Sequence, residues 1–218
     1  MSYKLSTVIL AGGQSSRMGC DKALLSLRGQ PLIRHVYDAA AACSDRVVVV
    51  TPWPERYRPS LPDRCRYVEE PSHSSTQGVL QSVPQDVPRG PVAGFLHGLS
   101  AVDTDWVLLL ACDLPHLRAS VLQAWAQQLG PLPAQTVALL PRRADRWEPL
   151  CGFYRRSCQA SLTNFLRSGE RSFQRWLQHQ QICPINMSDD QALLLYNCNT
   201  LQDWAQIAGG LASGGDAP

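Results

Sequence analysis

Short β-branched or leucine-rich runs alternate along this chain with longer stretches whose apolar positions recur every three or four residues. The runs are TVILA from Thr7, RVVVVT from Arg46, RYVEE from Arg66, WVLLLAC from Trp106 and TVALLP from Thr136. Such runs predict buried parallel strands, because a strand covered on both faces has no side on which to display polar residues. Between the first two lies PLIRHVYDAAAAC, where Pro31 suits a first helical turn and Leu32, Val36, Ala39, Ala40 and Cys43 share one face. A second helix is expected from Pro91 in PVAGFLHGLSAV, and a third from Arg118 to Leu129 before the turn signal GPLP. Strand, helix and strand recurring with right-handed crossovers predict a layered α/β sheet, mostly parallel, with helices on both faces. The ligand crevice of such a sheet lies outside the carboxyl ends of its strands.

From Leu150 the rhythm changes to a strand-like LCGFY, a helical SCQASLTNFLR, a helix SFQRWLQHQ opened by Ser172, the run ICPINM, and NTLQDWAQIA with Asn199 or Thr200 as cap. This part reads as additions that close over the sheet. The segment from Pro71 to Pro91 is rich in proline and has no sustained period, so it reads as a long loop: a flap beside a substrate, or a bland insertion. The glycines and small polar residues of GGLASGGDAP, residues 209–218, predict a disordered tail after a single domain spanning residues 1–208.

With 218 residues, 44% of them hydrophobic, the chain can bury one substantial core. A formal charge of +2 gives no field that argues for nucleic acid or an anionic membrane as the main partner. The longest apolar run, Trp106 to Cys112, is far shorter than the roughly 20 residues a spanning helix needs, and the start MSYKLSTVIL lacks a signal peptide's apolar region. A soluble, cytoplasmic protein is expected. The eight cysteines contain no C-x-x-C pair and read as reduced, buried small side chains; the five histidines form no zinc-ligand spacing.

The first strand runs directly into Leu10, Ala11, Gly12 and Gly13, where paired glycines let backbone N–H groups face an anion with no Cβ in the way. Arg17 and Lys22 follow within ten residues, a planar fork and a point charge suited to a triphosphate. A Walker loop is excluded, since five residues separate Gly13 from Gly19 and Ala23 follows Lys22; no G-x-G-x-x-G occurs either. An ordinary strand-to-helix turn with surface charges is the competing explanation. Asp113 ends the most apolar strand and would stand across the crevice from the glycine turn. One carboxylate plus phosphate oxygens is a common way to hold Mg²⁺, whereas a plain helix cap would also place an Asp there.

The run L-A-G-G-x-S-x-R-M-G-x-D-K, Leu10 to Lys22, resembles the signature of nucleotidyltransferases of the molybdenum cofactor guanylyltransferase family. The resemblance continues in order through GPVAGFLHGL, ACDLPHL, EPLCGFYRR, LRSGERSFQRWL and YNCNT, from about Thr7 to Ile207. It implies a three-layer Rossmann-like nucleotidyltransferase fold with a nucleotide-binding half, about residues 1–130, and a second-substrate half, about residues 131–208. It also implies transfer of GMP from GTP to molybdenum-molybdopterin, with pyrophosphate released and Mg²⁺ as cofactor. In that scheme Arg17, Lys22 and Asp113 are catalytic, and Asp113 is the metal ligand. Leu10, Ala11, Gly12, Gly13, Lys22, Glu70, Gly94 and Asp113 border the nucleotide, with Glu70 accepting from guanine. Asn197 and Asn199 belong to the pterin side.

The family more often has Asp at the place of Glu70. Thr51 is a further candidate for base or ribose contact. Arg146, Arg155, Arg156, Arg167 and Arg171 are scattered through the second half, some expected to meet the acceptor's phosphate and most to be solvated, with no ranking among them. Trp53, Trp125, Trp147, Trp176 and Trp204 read mainly as core, with Trp147 the one to test against a ligand. GTP and molybdopterin are the expected partners, with transient contacts to other molybdenum cofactor biosynthesis proteins and apo-molybdoenzymes. The alternatives are a cytidylyltransferase, a sugar-phosphate nucleotidylyltransferase, and a non-catalytic nucleotide-binding cofactor carrier.

Overall fold

The structure, a computed structural model, describes residues 3–12, 21–70, 90–196 and 204. The strands are β1 (Leu5–Leu10), β2 (Ser26–Leu27), β3 (Gln30–Pro31), β4 (Arg46–Thr51), β5 (Arg66–Glu69), β6 (Trp106–Ala111), β7 (Ala138–Arg143), β8 (Arg146–Trp147), β9 (Cys151–Arg155) and β10 (Ile182–Ile185). The helices are α1 (Leu32–Ala41), α2 (Pro54–Tyr57), α3 (Pro91–Ser100), α4 (Ala119–Ala126), α5 (Gln159–Arg167), α6 (Phe173–Leu177) and α7 (Asp189–Ala192). The main sheet runs β10-β7-β9-β6-β1-β4-β5, with β8 pairing off the end of β7 and β2–β3 forming a separate small hairpin. The pairs β1–β4, β1–β6, β4–β5 and β7–β10 are parallel.

Alternation along the central strands makes three layers. Ile9, Val47, Val49, Leu108 and Leu110 share one cluster with Ile33, Val36 and Ala40 of α1 and Leu122 and Trp125 of α4. Their sequence neighbours Val8, Val48, Val50, Val107 and Leu109 face the other side, against Phe95, Leu96 and Leu99 of α3 and Leu162 and Leu166 of α5. Every residue of β6 is buried, as a strand covered on both faces requires. Pro31 stands one residue earlier than expected, ending β3, and α1 starts at Leu32.

The second half corrects one expectation. LCGFY and ICPINM are not a cover over the sheet: they supply β9 and β10, which lie within it. β9 enters between β6 and β7 and runs antiparallel to both. Flanked on both sides by strands, its residues Cys151 to Tyr154 are fully buried, which explains their apolar character. The six cysteines among the described residues are free thiols. No helix among the described residues is long and apolar enough to cross a membrane. The expected tail, the last helix cap and most of the proline-rich loop lie outside the described residues.

Candidate active site

Strand register places four chain exits side by side at the carboxyl edge. Leu10 pairs with Val50 on one side and Ala111 on the other, while Thr51 pairs with Glu69. Ladder hydrogen bonds continue past the strand ends: Ala11 N–H donates to Val50 O (2.9 Å), Cys112 N–H to Leu10 O (3.2 Å) and Glu70 N–H to Thr51 O (3.1 Å). Gly12, Glu70 and Asp113 are therefore the first residues free of the sheet and open on the same cleft. That cleft is a cavity of about 320 Å³. Leu10, Ala11, Gly12 and Lys22 line it on one side, with Glu70, Gly94 and Asp113 completing the described part of the expected nucleotide site. Gly13, Arg17, Asn197 and Asn199 lie outside the described residues.

Two glycines make room for Glu70. A Cβ on Gly12 would collide with Glu70 Oε2, and one on Gly94 would stand 2.7 Å from Oε1. The carboxylate thus rests between the glycine turn and the first turn of α3, with its oxygens at the cavity. Gly90 opens that helix at φ 151°, a backbone angle L-residues rarely adopt, and its carbonyl accepts from Gly94 N–H at 2.9 Å. Pro91 takes the first helical position, where no N–H is needed.

Lys22 Nζ lies 3.7 Å from Asp113 Oδ2, with both side chains mostly buried at 17% and 18% exposure. Burial raises the Asp113 carboxyl above its ordinary range, and the neighbouring ammonium opposes that shift. A dehydrated carboxylate beside a cation interacts strongly with further charge entering the cleft. Among the described residues there is no group of three or more His, Cys, Asp or Glu able to hold a metal by itself.

A second network went unseen in the sequence. Tyr57, buried at the end of α2, donates from its hydroxyl to Asp21 Oδ2 at 2.8 Å and lies 3.3 Å from the Ala11 carbonyl. Burial, first of all, holds this phenol above its usual range and so keeps it a donor. Asp21 Oδ1 accepts from Ala23 N–H (3.1 Å) and caps the single 3₁₀ turn Lys22–Leu24. Arg56 pairs with Asp21 at 3.0 Å and stacks on Trp53 at 4.4 Å. Asp21, which precedes Lys22, is thereby tied to α2 and, through Tyr57, to the exit of β1. Both Tyr57 and Asp21 also line the cavity.

Other expectations resolve differently. Thr51 is fully buried and its hydroxyl accepts from Trp53 N–H at 3.1 Å, so it shapes the turn into α2 and makes no cavity wall. Arg155 donates to the carbonyls of Leu132, Pro133 and Thr136 and stacks on Trp106. Arg156 donates to Val102 O at 2.7 Å. Both lie at the amino edge, because β9 runs opposite to β6. Trp125 and Trp176 are core residues, Trp204 packs beside Leu27 and Leu32, and Trp147 carries the guanidinium of Arg142 on its ring at 5.3 Å.

The family profile of the MobA-like NTP transferase domain matches residues 7–183. A protein of Trichormus variabilis named "Probable molybdenum cofactor guanylyltransferase" is 47% identical over 205 residues, covering 94% of this chain and 91% of its own. One of Syntrophotalea carbinolica named "Molybdenum cofactor guanylyltransferase" is 32% identical over 206 residues, covering 91% and 88%. Among solved structures, molybdopterin-guanine dinucleotide biosynthesis protein A of Archaeoglobus fulgidus superposes with a TM-score of 0.69 at 19% identity, over 95% of this chain and 99% of that one. Strand order, the glycine-lined cleft and these likenesses agree: this chain belongs to the MobA-like NTP transferase family.

Proposed function

We propose that this protein transfers GMP from GTP to the terminal phosphate of molybdenum-molybdopterin, forming the guanine dinucleotide cofactor and pyrophosphate. The observation that carries this reading is the convergence of Gly12, Lys22, Glu70 and Asp113 on one cavity at the carboxyl edge. Glu70, seated between Gly12 and Gly94, is an acceptor suited to the N1–H and exocyclic amino group of guanine. Lys22 and the backbone from Leu10 to Gly12 hold the triphosphate; Gly13 and Arg17 join them by family resemblance. An oxygen of the acceptor phosphate attacks the α-phosphorus, a new P–O–P linkage forms, and the bond to the β-phosphate oxygen breaks as pyrophosphate leaves. The attacking group is already anionic, so no side-chain nucleophile is required. The protein's own contribution is positioning and charge neutralisation.

Mg²⁺ fits the donor set, because a single mostly buried carboxylate facing a phosphate site is how this ion is commonly held, with substrate oxygens completing its shell. Asp113 would hold it, and the ion would supply charge neutralisation at the phosphates. Asn197 and Asn199 are assigned to the pterin side by resemblance. The test combines the protein with Mg²⁺, molybdenum-molybdopterin and each of GTP, CTP, ATP and UTP. Pyrophosphate release with GTP is expected. Release with CTP in its place would point to the cytidylyltransferase alternative, and nucleotide binding without release would point to a carrier.

A further inference from the structure

The acceptor is itself an anion, carrying about two negative charges on its phosphate, and it must approach a triphosphate of the same sign. Cations beyond Lys22 are therefore needed on the acceptor side of the cleft. We infer that the β7–β8 hairpin binds the acceptor's phosphate, through Arg146 with Arg143 beside it. This inference rests on the transferase reading above.

Strand direction places the hairpin. β7 and β6 are both antiparallel to β9, so they point the same way, and Leu139 and Leu108 both pair with Phe153. Four residues beyond these partners come Arg143 and Cys112, so the hairpin leaves the sheet at the edge where Asp113 stands. Two strand spacings, about 10 Å, separate β7 from β6, a distance that an extended arginine side chain largely covers. The return strand keeps the hairpin joined to the cleft: Leu150 lines the cavity, and its carbonyl accepts from Ala111 N–H at 2.8 Å.

The hairpin's own chemistry asks for an anion. Arg143 and Arg146 are paired directly across its two-residue turn, which puts two guanidinium groups on one face. Like charges opposed in this way repel; Glu148 lies 3.6 Å from Arg143 Nε and offsets them in part, while Asp145 in the turn pairs with Arg142 at 3.4 Å. Arg143 also donates to Ala192 O at 3.2 Å, while Arg146 is exposed and makes no hydrogen bond or ion pair among the described residues. The backbone beneath is fixed. Gln174 bonds both the carbonyl (2.6 Å) and the N–H (3.4 Å) of Trp147, and Glu148 N–H donates to Pro141 O at 2.9 Å. Two guanidinium forks carried on one face of this fixed backbone, with a carboxylate beside Arg143, match the chemistry of a phosphate monoester.

The amino edge provides a matched control, because Arg46, Arg64 and Arg66 gather there around a separate cavity of about 470 Å³. Binding of metal-free molybdopterin to the full chain is titrated by pterin fluorescence without GTP, for the wild type, R146A, R146K and the double variant R64A/R66A. R146A should bind the acceptor about tenfold more weakly, with R146K intermediate and the amino-edge double variant unchanged. GTP affinity and the unfolding midpoint should be the same in all four proteins. Wild-type acceptor affinity in R146A, or an equal loss in R64A/R66A, overturns the assignment. A wild-type protein that binds molybdopterin yet releases no pyrophosphate would refute the transferase reading separately.

Discussion

The two edges of the sheet carry similar chemistry and use it differently. At the amino edge, Arg155 and Arg156 donate to backbone carbonyls in part-buried contacts, and Arg46 pairs with Asp103 at 3.0 Å in an exposed one. At the carboxyl edge, Lys22, Asp113 and Glu70 turn toward one cavity, and burial has raised the Asp113 carboxyl. Charge spent on closing a turn stabilises the fold; charge held dehydrated over a cleft is available to a ligand. The difference follows from strand polarity. Parallel strands send their exits, and the loops that carry Gly12, Glu70 and Asp113, to one side.

The comparison is broken most severely at Asp113. Asp113→Ala should lower pyrophosphate release by at least about a hundredfold, with an unfolding midpoint like the wild type's. The amino-edge counterpart, Arg155→Ala, should do the reverse, costing about 1–3 kcal/mol in denaturant unfolding and leaving turnover per folded molecule intact. Wild-type turnover in the first variant would remove Asp113 from the reaction. Lys22→Ala should follow, weakening GTP binding by roughly tenfold to a hundredfold in calorimetric titration, the loss of one charge-assisted contact.

Smaller effects sharpen the picture of the base site. Gly94→Ala crowds Glu70 Oε1, the movable end of a side chain, so the fold should survive while preference for GTP over CTP falls by about tenfold. Unchanged preference in kcat/KM would mean that Glu70 does not read the base. Tyr57→Phe should have the least effect. It removes the bond to Asp21, with a cost of about 1 kcal/mol in stability and a several-fold rise in KM for GTP.

Much of this fold was legible because buried parallel strands are written as uninterrupted apolar runs. RVVVVT and the run from Trp106 became β4 and β6 at the expected places. Direction was not legible: LCGFY reads the same whether it runs up or down, and its antiparallel entry between β6 and β7 depends on the connections around it. Gly12, Lys22 and Asp113 could be read because strand ends and the family-like motif marked them. Tyr57 and Asp21 could not, since they are 36 residues apart and meet only through the packing of a four-residue helix too short to show a period. Thr51 misled for a related reason. A polar residue at a strand end looks like a ligand group until the turn beyond it takes its hydroxyl.

The most direct measurement is a crystal structure of the protein with a non-hydrolysable GTP analogue and Mg²⁺. Guanine against Glu70, with the triphosphate and metal between Lys22 and Asp113, is the predicted result. Nucleotide seated among Arg46, Arg64 and Arg66 at the opposite edge, with the carboxyl-edge cavity untouched, would contradict the account.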